Sequence, residues 1–99
     1  MRYNFEWDPV KAKLNLHKHR ITFQRAATVF LDPQAISVFD DEHSLEEDRW
    51  SSIGLDSEGA LLVVIHTFHG IDASACNIRI ISARKATKKE SKQYEELSL

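Results

Sequence analysis

One arginine of this 99-residue chain stands where a charge is hard to place. Arg79 lies between Ile78 and Ile80 in a run that reads as a buried strand, and arginine is almost never fully buried without a partner. Two readings follow: an acid on a neighbouring strand satisfies it as an ion pair, or it lines an open groove, where its planar fork suits phosphate oxygens. Arg84 and Lys85 come at the end of the same run, where side chains can converge on a cleft. Lys88 and Lys89 fall in the first turn of the next helix. The macrodipole disfavours cations there, and an arriving anion would relieve the conflict, with simple surface solubility as the alternative. His43 and His66 are candidate proton-transfer groups, because a free imidazole titrates near neutrality, although a histidine hydrogen-bonded for structure is the commoner case.

The five histidines do not make a metal site by their spacing. His17 and His19, or His66 and His69, are neighbours in sequence, but i and i+2 point apart on a helix, no HExxH is present and the one cysteine is remote. No metal or other cofactor is expected. The chain also lacks GxSxG, a P-loop and a glycine-rich dinucleotide motif.

The elements that must position these groups are legible in outline. Residues 3–7 alternate aromatic and polar side chains, as a half-buried strand does. Asp8 can cap a helix whose first position is Pro9, and Val10, Leu14 and His17 give that helix one distinct side against a polar remainder. Thr22 reads as the cap of a second helix, with Phe23, Ala26, Ala27 and Phe30 on a core-facing stripe and Asp32-Pro33 as its end. Residues 35–39 and 49–55 read as strands, joined by an acidic connection over residues 40–48 with room for a helical turn. Asp56-Ser57-Glu58-Gly59 has the chemistry of a hairpin loop. Residues 60–67 and 77–83 are apolar enough to be central strands buried on both faces, with residues 68–74 as the loop between them. Alternation over the second of these puts Asn77, Arg79 and Ile81 on one face and Ile78, Ile80 and Ser82 on the other. Thr87-Lys88-Lys89-Glu90 is a capping box opening a final helix whose thin apolar face is Tyr94 and Leu97. The order β-α-α-β-β-β-β-α predicts an α+β fold, with two N-terminal helices and one C-terminal helix gathered against a mostly antiparallel sheet.

Length fits one domain over residues 1–99. Net charge is −2, which gives no overall sign of nucleic-acid binding, but the charge is polarised. Asp40, Asp41, Glu42, Glu46, Glu47 and Asp48 crowd one segment, while residues 79–92 hold Arg79, Arg84, Lys85, Lys88, Lys89 and Lys92 with one acid, Glu90. Two solvated faces and a functional basic patch are both consistent with this. The polar start and the short apolar runs predict no signal peptide, no membrane partner and a cytoplasmic location, and the lone Cys76 fits a buried thiol in a reducing compartment.

Several stretches in order resemble the BrnT family of toxins. They are Phe5-Glu6-Trp7-Asp8, Lys18-His19 before Ile21-Thr22-Phe23, Ala27-Thr28-Val29-Phe30-Leu31-Asp32, and Asp41-Glu42-His43-Ser44 with Glu46-Glu47 and Arg49-Trp50. Ile53-Gly54, Leu62-Val63-Val64 and His66-Thr67 follow, and Ile78-Arg79-Ile80-Ile81-Ser82-Ala83-Arg84-Lys85-Ala86-Thr87 with Glu90 and Tyr94-Glu95 closes the match. The chain departs from the family pattern at Arg20, where glycine is usual, at Gln24-Arg25, where an acidic pair is common, and in a longer stretch over residues 68–77. The resemblance implies a RelE-like, metal-independent ribonuclease that inhibits translation and is neutralised in a hetero-oligomer by a BrnA-type ribbon-helix-helix antitoxin. It implies RNA as substrate, cleaved through attack of its own 2′-hydroxyl, with Arg79, Arg84 and Lys85 meeting the phosphate charge, His66 or His43 moving protons, and Lys88, Lys89 and Tyr94 contacting RNA. The competing reading is a non-catalytic module that binds nucleic acid or a protein through the same basic segment.

Overall fold

The structure, a computed structural model, describes residues 1–97. Residues 98 and 99, included in the domain expected from the sequence, lie outside the described residues. The order is β1 (Arg2–Glu6), α1 (Pro9–His19), α2 (Phe23–Thr28) with a 3-10 turn at Val29–Leu31, β2 (Ile36–Phe39), a 3-10 turn at Asp41–His43, β3 (Trp50–Leu55), β4 (Leu61–His66), β5 (His69–Asp72), β6 (Ala75–Lys85) and α3 (Lys88–Leu97). The strands form one sheet in the order β1-β6-β4-β3-β2, with β5 also paired to β6. Every pairing is antiparallel except β1 on β6. The α+β layout read from the sequence is the observed one.

Local chemistry sets the helix starts. The Asp8 carboxylate accepts from the Val10 N–H at 2.8 Å ahead of Pro9, and Thr22 Oγ1 accepts from the Arg25 N–H at 3.1 Å. At α3 the capping box closes both ways: Glu90 N–H donates to Thr87 Oγ1 and Thr87 N–H to Glu90 Oε1. At the other end of α1, Arg20 adopts φ 60° and ψ 27°, the left-handed conformation that favours glycine. Arg20→Gly is therefore expected to stabilise the fold by about 0.5–1 kcal/mol, read as a rise in the urea midpoint at constant m-value.

The core lies between the helices and one face of the sheet, where Ile21, Phe23, Ala26 and Val29 pack on Leu62, Val64, Ile78, Ile80 and Ala83, with Cys76 alongside. A bulge decides which β6 residues join it. Ile65 pairs Ser82 and His66 pairs Ile80, so Ile81 is an extra residue. Strict alternation would have sent Ser82 inward; instead the face switches at Ile81 and Ala83 is the buried residue. Arg79 and Arg84 thereby fall on the same side of the sheet, away from α1 and α2.

Two further expectations change. Residues 68–74 are not simply a loop, since β5 pairs with the first residues of β6 and the longer stretch in this chain is a strand and its turns. On α1, Val10 and Leu14 face solvent, while Asn15 is buried. The Asn15 amide donates to the carbonyls of Ile21 and Ala83 and accepts from the Ala83 N–H, all within 3.0 Å. Those bonds meet the rule that buried polar groups be satisfied, and they turn the helix so that its apolar side points outward. Leu97 is likewise exposed, and α3 is docked by polar contacts. Arg25, which departs from the family pattern, ties α2 to the enclosed Asp56 carboxylate through Nε at 3.0 Å and Nη2 at 2.8 Å. Asp56 also accepts from Glu58 and Ala60 N–H, which fixes the β3–β4 turn.

Candidate active site

The cations read from the C-terminal third do not gather into one pocket. Arg79 and Arg84 share a face of β6, but five residues of strand put them roughly 15 Å apart. Each is half-exposed and ion-paired. Arg84 holds Glu90 with two bonds, Nη1 to Oε1 at 2.7 Å and Nη2 to Oε2 at 2.9 Å. That fork, with the capping bonds, keeps the Glu90 carboxyl down at about 2. Arg84 thus clamps α3 to the end of β6. Lys85, Lys88 and Lys89 surround this corner, exposed and without an ion pair among the described residues.

Tyr94 stands apart from them. Its hydroxyl donates to Asp32 Oδ2 at 2.6 Å, and that bond raises the phenol to about 12. Asp32 also accepts from the N–H groups of Gln34 and Leu55. Burial works to raise the Asp32 carboxyl, but these bonds outweigh it and leave it below the usual range. Tyr94 therefore staples α3 to the turn after α2.

His66 is enclosed, with no exposed surface. Phe30 and Phe68 meet its ring edge-on at 4.8 Å and 4.6 Å. Its Nε2 bonds the Ser52 hydroxyl at 2.6 Å, Ser52 bonds Ser37 at 2.7 Å, and Nδ1 lies 3.2 Å from the Thr67 carbonyl. Burial, only partly opposed by the Thr67 carbonyl, pulls its pKa down to about 4, so the ring is neutral at pH 7. An imidazole in this position cannot touch a diester, which removes direct proton transfer to RNA from its possible roles. Its carbonyl partner belongs to a residue that holds Arg79: Thr67 N–H donates to the Arg79 carbonyl at 3.0 Å, and the Arg79 N–H donates to Thr67 Oγ1 at 3.3 Å.

Arg79 itself opens onto a cleft of about 360 Å³ lined by Glu6, Glu47, Asp48, Thr67, Phe68 and His69. Its guanidinium is paired with Glu47. On the other side of Glu47 lies a second cavity, of about 290 Å³, lined by Glu42, His43, Leu45, Glu46 and Arg49. His43 is exposed, and Asp40 grips its Nδ1 at 2.9 Å, so Nε2 is the nitrogen left for chemistry. Arg79 and His43 are thus brought to adjoining cavities that share one carboxylate. Arg49 and His69 border the same openings; by type and spacing His69 is weighed only for a metal site, and Arg49 is not singled out, because a cation at a strand start is an ordinary surface residue.

Among the described residues no group of three or more His, Cys, Asp or Glu side chains is placed to hold a metal ion, and no helix is long and apolar enough to cross a membrane. No curated protein matches the chain. The fold is similar to that of the Brucella abortus ribonuclease toxin BrnT, whose crystal structure aligns with a TM-score of 0.59 at 21% identity over 89% of this chain and all of that one. A profile described as the ribonuclease toxin BrnT of type II toxin–antitoxin systems matches residues 7–90, from Trp7 through the capping glutamate Glu90. With that match covering most of its length, the chain belongs to the BrnT family of ribonuclease toxins of type II toxin–antitoxin systems.

Proposed function

We propose that the protein is a RelE-like, metal-independent endoribonuclease that cleaves cytoplasmic RNA, arrests translation, and is neutralised in a hetero-oligomer by a BrnA-type ribbon-helix-helix antitoxin. The observation that supports catalysis is that Arg79 and the Asp40-oriented His43 line two cavities that have Glu47 in common. In this reaction the 2′-hydroxyl of one nucleotide loses its proton to His43 Nε2 and attacks the adjacent phosphorus. The bond to the 5′-oxygen breaks, and that oxygen takes up a proton, leaving a 2′,3′-cyclic phosphate and a 5′-hydroxyl. Arg79 meets the extra negative charge on the phosphoryl oxygens as it develops, and its fork suits two of them. Lys85, Lys88 and Lys89 attract the RNA backbone at the far end of β6. Arg84 and Tyr94 keep α3 in place and so act on RNA through that helix, and His66 acts through Thr67 on the position of Arg79.

The test is incubation of the purified protein with RNA in the presence of EDTA. Fragments ending in cyclic phosphate are expected. RNA that stays intact but shifts on a gel would replace this reading with the non-catalytic binder. Co-expression with a ribbon-helix-helix protein encoded beside the gene is expected to yield a stable complex that no longer cleaves.

A further inference from the structure

Glu47 stands where an oxyanion belongs. Its Oε1 receives Arg79 from one side, and Arg49 Nη2 lies 4.0 Å from the same oxygen on the other. The carboxylate serves the two unequally. Arg49 Nε is shielded from solvent and has no hydrogen-bond partner among the described residues, an arrangement that buried donors rarely tolerate. Two guanidiniums converging on one oxygen, with one of them underused, suit a ligand that has more oxygens to offer. A phosphodiester has two non-bridging oxygens, one for each fork.

We propose that Arg49 and Arg79 together form a phosphodiester-binding subsite, and that Glu47 fills it until RNA displaces the carboxylate. The surroundings favour this ligand. Phe68 and His69 line the cleft beside Arg79 and offer ring surfaces to a base. Glu47 bounds both cavities, so its withdrawal joins the Arg79 cleft to the one holding His43 and places the bound phosphate between the two groups assigned to the chemistry. Among the described residues the carboxylate's partners are these two arginines, and it belongs to the connection before β3 rather than to a helix or strand. An ion pair that is partly open to water is weak, so exchanging it for a doubly charged grip on phosphate favours the substrate. Arg49 becomes a binding residue for the same reaction, which makes the inference rest on the nuclease reading above.

The experiment measures binding of a short 2′-O-methyl oligoribonucleotide, which has no attacking hydroxyl, by fluorescence anisotropy, alongside cleavage of unmodified RNA. Glu47→Gln keeps the shape and removes the charge, and is expected to bind about tenfold tighter than wild type, whereas Arg49→Ala binds about tenfold weaker. In the Glu47→Gln/Arg49→Ala double variant the gain is lost. Glu47→Asp keeps the charge on a stem one methylene shorter and should also bind more tightly, which separates displacement of the carboxylate from a general change of charge. Unchanged or weaker binding by both Glu47 variants, or wild-type binding by Arg49→Ala with an unaltered unfolding midpoint, overturns the subsite. If cleavage persists in that case, the nuclease reading stands without it. If the binding pattern holds but wild-type protein leaves RNA whole, the subsite stands and the nuclease reading falls.

Discussion

Arg79→Ala is expected to slow RNA cleavage by about 10²–10³-fold, the usual loss when one preorganised donor to a developing oxyanion is removed. The fold should survive. The strand around Arg79 is held by its backbone bonds to Thr67, which the substitution leaves intact, and the ion pair to Glu47 is half-exposed, so its loss costs no more than about 1 kcal/mol. Arg79→Lys restores the charge without the planar fork and should recover only part of the rate. The measurement is single-turnover cleavage beside a urea unfolding curve. A variant that cleaves at the wild-type rate would take Arg79 out of the site, and one that loses rate only because it unfolds would show it in the midpoint.

The second large effect concerns stability against acid. His66 titrates at about 4 in the folded protein and near 6.5 when unfolded, so between those values the unfolded chain binds the extra proton. Its contribution is complete above pH 6.5 and is lost as the pH falls towards 4. From pH 7 to pH 4.5 this group alone should remove about 2–3 kcal/mol of stability, because one pKa unit corresponds to about 1.4 kcal/mol. Glu90 acts in a lower window, between its ordinary 4.5 and about 2, and leaves the first slope to His66. His66→Gln keeps an acceptor for the Ser52 hydroxyl without a titrating ring. Urea unfolding of both proteins across pH 4.5–7 checks this, and an equally steep loss in the glutamine variant would assign the acid sensitivity elsewhere.

Much of the frame was written locally. Asp8-Pro9, Thr22 and the Thr87–Glu90 box announce helix starts through bonds between near neighbours, and Gly59, at φ 81°, marks the hairpin where a side chain would be strained. Periodicity failed where a long-range partner outweighed it. Nothing near Asn15 in sequence says that its amide will be called on by Ala83, 68 residues away, and that bond is what turns Val10 and Leu14 outward. The bulge at Ile81 is equally silent, although it decides that Arg79 and Arg84 share a face.

The site was legible by type and less so by grouping. Arg79 stood out because it interrupts an apolar run, and the burial expected for residues 60–67 already argued against an accessible His66. Arg49 and Glu47 look like members of a solvated charged segment until the fold sets them against β6. The acidic and basic segments, read as two separate faces, meet at Arg79 through Glu47.

Asn15 has an effect beyond the core. β1 covers β6 only as far as Arg79, so among the described residues the remainder of the longest strand has no strand neighbour on that side. Bare peptide groups of this kind recruit strands from other molecules. By occupying both the N–H and the carbonyl of Ala83, the asparagine acts as a one-residue strand of its own and denies a passing chain its footing along that part of β6.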